Sequence, residues 1–353
     1  MTALDARPTT EFVAPPGSFA SAPAERRGMA RDGVRLLVAE PERITHTTFA
    51  HFPRYLRAGD LIVVNDSATV AGQADATSSR CGPVVLHAAT PLDDGTWVVE
   101  VRTAGDAARS VLDAEPGERL RTGGVVVTLL EPYPRRSSPT GHGNRLWRAS
   151  ADGDLARHLA RRGRPIAYGY LSHRYPLADY QTVFGVRPGS VEMPSAARPF
   201  TAGIVTELVS NGVGVAPVTL HTGVSSQEAG EAPLAERFEV GESTARLVNA
   251  VRAGGGRVVA AGTTVTRALE SAVEDGRVVA RRGWTERVVT PADPPQVVDG
   301  LVTGWHDPHA SHLLLVEAVA GAEVAQRAYD AAVAKAYLWH EFGDSALFLP
   351  VRA

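Results

Sequence analysis

A chain of 353 residues is longer than one compact core usually reaches, so a large domain joined to a smaller one is expected. Hydrophobic residues at 44% and charged residues at 21% suit a globular protein with a substantial core and exclude general disorder. A formal net charge of −3 argues against a protein whose main task is gripping a polyanion, and the single cysteine, Cys81, excludes an intramolecular disulfide and a four-cysteine zinc site.

The stretch from Met1 to Arg27 is polar and rich in Pro and Ala, with no hydrophobic core for a signal peptide. It reads as mobile, and with no apolar run of about eighteen residues anywhere, a cytoplasmic location is expected. Val34 to Ala39 and Leu61 to Val64 read as buried strands, the second ending in Asn65-Asp66, with a helical turn from Phe49 to Leu56 between them. From about Thr69 to Ser150 the texture changes to short β-patterned pieces: Val84 to His87, Trp97 to Val101, Val125 to Leu130 and Arg145 to Arg148. These predict a small all-β barrel inserted at residues 69–150, with Pro134 to Asn144 as an exposed hairpin loop.

Asp154 to Arg162 is a short helix, and Thr201 can cap a second that runs to Ser210. Val213 to Leu220 then reads as a strand ending at His221. Ser243 to Arg252 is helical, Arg257 to Ala261 is a strand entering Gly262-Thr263-Thr264, and a helix follows from about Val265 to Glu274. A strand-like buried run at Leu313 to Val316, a long Ala-rich helix from about Glu323 to His340 and a last strand around Ala346 to Leu349 complete the pattern. Strands alternating with helices predict an α/β domain, a mixed sheet with flanking helices, built from residues 1–68 and 151–353.

In open α/β sheets ligands gather at the carboxyl ends of strands, so Asn65-Asp66, Thr219-Leu220-His221 and Gly262-Thr263-Thr264 are the first candidates. The last puts a glycine turn and two hydroxyls at a helix N-terminus, where free N–H groups and the dipole favour an anion. A plain N-cap at Thr263 or Thr264 explains the same spacing. Arg267 and Glu270 stand one turn apart and read first as an i,i+3 ion pair. His306, His309 and His312 invite a metal, but Pro308 interrupts any continuous helix through them, and a solvent-facing His309 fits better. Gly343-Asp344 alone reads as a turn, and Arg157, Arg161, Arg162, Arg164 and Arg174 as a solvated basic face. No dinucleotide fingerprint, phosphate loop, zinc-protease or serine-hydrolase motif is present.

Taken in order, several segments resemble the S-adenosylmethionine-dependent tRNA ribosyltransferase-isomerase family of queuosine biosynthesis. They are Tyr55 to Asp66, Asp179 to Phe184, Gly189-Ser190-Val191 with Phe200-Thr201, Val218 to His221, Gly256 to Thr264 with Arg267 and Glu270, Val298 to Leu301 with His306 and Pro308, and Gly343-Asp344. The resemblance implies transfer and isomerisation of the ribosyl group of S-adenosylmethionine onto the aminomethyl-deazaguanine of tRNA, releasing adenine and methionine. It implies His221, Glu236, His306 and Asp344 as candidate catalytic groups, and Asn65, Asp66, Gly262, Thr263, Thr264, Arg267 and Glu270 around S-adenosylmethionine, all meeting in one pocket without a metal. A monomer or homodimer would serve.

The chain departs from the family pattern at four points. Pro199 and Leu234 stand in place of histidines, Ala68 in place of arginine and His309 in place of lysine. Two other readings therefore accompany the main one: a paralogue that uses S-adenosylmethionine on a small molecule or another nucleoside, and a non-catalytic binding module.

Overall fold

A computed structural model of the chain describes residues 6–134, 143–167, 169–224, 233–308 and 310–349. Nine strands form one mixed sheet in the spatial order Arg281–Thr285, Glu236–Val240, Gly214–His221, Leu61–Asn65, Val258–Ala261, Gly300–Gly304, Ser345–Phe348, Arg35–Glu40 and Arg43–Thr48. The four strands from Gly214–His221 to Gly300–Gly304 run parallel to one another. Their carboxyl ends therefore share one edge of the molecule, and the loops that follow are brought together there.

Alternate side chains of these strands divide the core into two layers, as the period of two along a strand requires. Leu61, Val63, Val258 and Ala260 pack on one face, and Ile62, Val64, Val259 and Ala261 on the other. Phe49, Phe52 and Phe200 close the second face with ring centroids 5.0 to 5.2 Å apart.

Among the described residues, six α-helices serve this frame: α1 Leu155–Arg162, α2 Ala202–Ser210, α3 Glu242–Ala253, α4 Thr263–Ser271, α5 His312–Ala320 and α6 Ala322–Ala334. Asp154 caps α1 and Thr201 caps α2, each side chain accepting from the N–H three residues on. The run Leu313 to Val316, expected as strand-like, belongs to α5. Its residues are buried on every side, so the helix shows no polar face to betray its period. The long C-terminal helix also stops early, at Ala334, where Ala336 adopts φ +50° and turns the chain back.

Strands Gln73–Ser78, Gly82–Pro91, Trp97–Thr103, Arg119–Thr122, Val125–Pro132 and Leu146–Ala151 close into a barrel around Val84, Leu86, Val99, Val127 and Trp147. Gln73–Ser78 and Arg119–Thr122 are too polar to stand out in the sequence and owe their conformation to the ladders that flank them. Most of the expected hairpin loop, residues 135–142, lies outside the described residues.

The N-terminal segment, expected to be mobile through Arg27, is tied to the main domain from Thr9. Glu317 accepts from the backbone N–H groups of Thr9 and Thr10 at 2.8 and 2.6 Å, and Phe12 stacks on Tyr329 and Trp339. Among the described residues no helix is long and apolar enough to cross a membrane.

Candidate functional site

A cavity of about 790 Å³ opens at the carboxyl ends of three parallel strands, where Thr222, Gly262 and Thr303 mark the strand exits. The barrel contributes Arg102 and Ala108 to its wall, and the N-terminal segment contributes Phe19. Its size falls in the range that holds a nucleoside-sized ligand.

The α4 N-terminus faces this space. Gly262, at φ +111°, is the N-cap, and no side chain caps the helix. The simple N-cap reading of Thr263 or Thr264 is thereby corrected: both residues line the cavity, and the first N–H groups of α4 have no side-chain acceptor. Asn65 supports this corner from behind. Its amide bridges the backbone N–H and C=O of Leu220 at 3.0 and 2.8 Å, and its Nδ2 reaches Thr264 Oγ1 at 3.4 Å.

Arg267 leans across the cavity floor and pairs with Glu236, while its Nε and Nη2 donate to the carbonyls of Arg287 and Leu234 at 3.0 and 3.1 Å. Burial pushes the Glu236 carboxyl upward, and the Arg267 guanidinium and the Gly223 N–H pull it back. Arg267 and Glu270 do not pair with each other, contrary to the i,i+3 expectation. Glu270 instead accepts from the N–H groups of Gln296, Val297 and Val298 at 2.8 to 3.1 Å, clamping a loop away from the cavity.

His306 and His312 lie ring on ring, centroids 4.6 Å apart and planes 6° apart. Thr303 Oγ1 holds His306 Nε2 at 2.9 Å. Burial and the neighbouring imidazoles keep His306 well below the usual histidine range, and burial with the charge of Arg267 brings His312 down to about 4. Both rings are neutral near pH 7 and can accept protons. His309 lies outside the described residues, and among the described residues no group of three or more His, Cys, Asp or Glu side chains is placed to hold a metal ion.

The expectation of a single shared pocket needs correction for five residues: Asn65 stands behind Thr264 and not in the cavity lining, and four others are turned elsewhere. His221 Nδ1 bonds Ser67 Oγ at 2.8 Å, and its ring lies so close over Gly189 that a Cβ there would come within 2.3 Å of Nδ1. Asp66 accepts from Thr219 Oγ1 at 2.6 Å and faces Arg187. Asp344 is bound by the Arg35 backbone and guanidinium and by the Leu338 N–H, and it borders a separate crevice of about 10 Å³ beside Pro199. Glu270 is the fourth. All four charges or rings are consumed by local partners, whereas Gly262, Thr263, Thr264, Glu236, Arg267 and His306 line the cavity together.

Sequence reasoning missed His312 as a partner of His306, and missed Phe19, Tyr170, Glu192, His340 and Glu341 altogether. Leu234, one of the departures noted above, is 5% exposed and gives the cavity an apolar wall. On α1, Arg157, Arg161 and Arg162 are exposed, while Arg164 pairs with Asp75 and Arg174 donates to the Gly105 carbonyl.

A mixed α/β sheet with an inserted closed barrel, and a deep cavity at the strand ends where the two meet, define a ligand-binding α/β protein of two parts. This chain belongs to the queuosine biosynthesis protein family, whose sequence model matches residues 9–348. It is 34% identical to the S-adenosylmethionine:tRNA ribosyltransferase-isomerase of Acidiphilium cryptum, over 96% of this chain and 97% of that one. The protein of the same name from Thermus thermophilus is also 34% identical, over 96% and 98%. The crystal structure of S-adenosylmethionine tRNA ribosyltransferase from Thermotoga maritima superposes with a TM-score of 0.54 at 26% identity, covering 96% of this chain and 99% of that one.

Proposed function

We propose that this protein transfers and isomerises the ribosyl group of S-adenosylmethionine onto the aminomethyl-deazaguanine of tRNA, with release of adenine and methionine. The observation that carries this reading is the match to the family along nearly the whole chain, coupled to a cavity into which the open α4 N-terminus points. The N–H groups and hydroxyls of Thr263 and Thr264, at the open start of α4, suit the methionine carboxylate. Apolar walls at Leu234, Val289 and Leu315 suit a purine and exclude water from the reacting sugar.

The sulfonium acidifies the neighbouring ribose C5′ protons, and a base must remove one before adenine departs. Glu236 and His306 are the candidates from the sequence that reach the cavity, and His312 joins them. The sulfonium raises the acidity of its own C5′ protons but disfavours an imidazolium beside it, so the drive for the transfer comes from the acidified carbon and not from any gain in imidazole basicity. Asn65 acts behind Thr264 as a positioning residue.

The test is incubation of the protein with S-adenosylmethionine, with and without tRNA carrying the aminomethyl-deazaguanine, while adenine, methionine and the modified nucleoside are measured. RNA-dependent release with formation of the epoxyqueuosine product is expected. Release indifferent to RNA would favour the small-molecule paralogue, for which the loss of histidines at Pro199 and Leu234 speaks. Tight binding of S-adenosylmethionine without any methionine formed would leave a binding module.

A further inference from the structure

One lobe of the cavity is unlike the rest. Phe19, Tyr170 and His340 form an aromatic group with ring centroids 5.3 to 5.6 Å apart, beside the carboxyls of Glu192 and Glu341. Glu341 Oε2 is sealed from bulk water and has no hydrogen-bond partner. A buried carboxyl without a partner is costly and calls for an explanation.

Glu192 lines the same lobe, and its charge acts on Glu341 through a low-dielectric wall, so a cation received at Glu341 offsets that repulsion. The faces of aromatic rings add to the attraction. We propose that this lobe is a primary-ammonium subsite, in which Glu341 and Glu192, walled by Phe19, Tyr170 and His340, receive an alkylammonium group of a bound substrate. The inference rests on the function proposed above, which supplies two sources of that chemistry: the amino group of S-adenosylmethionine and the aminomethyl group of the acceptor.

Burial, with the nearby charge of Glu192, pushes the Glu341 carboxyl up to about 8. The other titratable groups near it are Tyr170, whose phenol burial raises, Tyr180, His340 and Asp307. Below that pH the uptake of an ammonium expels the proton of Glu341, so affinity climbs by up to about tenfold per pH unit and levels off above about pH 8. A guest arriving on the acceptor would also find in the Glu341 carboxylate a group able to take one N–H proton, forming O–H and freeing the nitrogen lone pair.

The experiment is titration calorimetry of the full chain with S-adenosylmethionine and, separately, with the aminomethyl-deazaguanine nucleoside, at about pH 6.5 and about pH 8.5. The wild type is compared with Glu341→Gln, each variant first checked by its melting curve. If Gln fails to fold, Glu341→Ser carries the same comparison. Expected is a loss of about tenfold or more in the affinity of one ligand at the higher pH, together with loss of its pH dependence. The ligand affected names the source of the ammonium. Affinities of both ligands within about twofold of wild type, with the pH dependence intact, would overturn the subsite while leaving the proposed function standing. A wild type that binds neither ligand would remove the proposed function, and the subsite with it.

Discussion

Glu100 in the barrel and Glu341 Oε2 beside the cavity are both shut off from water, yet at neutral pH the first carboxyl is held ionised and the second is held protonated. Burial works against ionisation of Glu100, but the His87 ring, 3.5 Å from Oε2, and the guanidiniums of Arg145 and Arg102 outweigh it and bring the carboxyl to about 2. Arg102 Nη1 lies 2.6 Å from Oε1, and the Ser110 hydroxyl donates at 2.7 Å. Around Glu341 the near charge is another carboxyl, and burial prevails. The difference teaches that desolvation is common to structural and functional acids, and the count of cations within reach separates them. The barrel charge is a strut that also fixes Arg102 in the cavity wall, whereas the cavity charge is held in reserve.

The sharpest way to break the comparison is to neutralise both acids in the same way. Glu100→Gln removes the buried carboxylate that Arg102 and Arg145 face and should cost about 3–5 kcal/mol of stability. Glu341→Gln should go the other way, raising stability above about pH 8 by at most about 5 kcal/mol, because a raised pKa penalises the ionised fold as pH climbs from the ordinary carboxylate value to about 8. Denaturant unfolding at acid and alkaline pH reads both, and equal losses in the two variants would dissolve the distinction.

The stacked imidazoles extend the comparison to bases. His312 is depressed to about 4, so its contribution is fully present above the unfolded value of 6.5 and is lost as pH falls toward 4, amounting to about 3 kcal/mol. Replacing His312 with Leu should flatten that acid limb in a series of melting curves.

Within the cavity, Glu236→Gln should lower turnover by about 10²-fold if the carboxylate takes part in proton transfer, with adenine release as the readout. An unchanged rate would move that duty to His306 or His312. The smallest effect is expected at the α4 corner, where Thr264→Val should weaken S-adenosylmethionine about five- to tenfold, near 1 kcal/mol for one hydrogen bond. Calorimetric binding constants measure it.

The α4 corner was legible in the sequence because its signal is local: a buried β run, then glycine, then two hydroxyls opening a helix. The sheet's parallel centre and the barrel were legible for the same reason, through period-two strands and the change of texture near Thr69. Arg267 and Glu270 show where local rules stop. Their spacing favours a mutual pair, yet Glu236 and the loop at Gln296 to Val298 arrive from elsewhere in the chain and win. Asp344 reads alone as part of a turn and becomes a catalytic candidate only through the family resemblance, but Arg35, more than three hundred residues earlier, occupies it. Glu341 gave no signal, since one glutamate in a turn looks solvated until Phe19 and Tyr170 are known to cover it.

The N-terminal segment has a consequence for how the chamber is assembled. Thr9 and Thr10 are tethered to Glu317, and Phe19 forms a bridge with Trp339 and stacks over Tyr170 and His340. The stretch from Thr9 to Phe19 is thus a shutter fastened from outside, added to a sheet whose strands are complete without it. A variant lacking residues 6–19 should keep its frame and leak at the ammonium lobe, so segments some three hundred residues apart jointly determine how dry the reaction space can be.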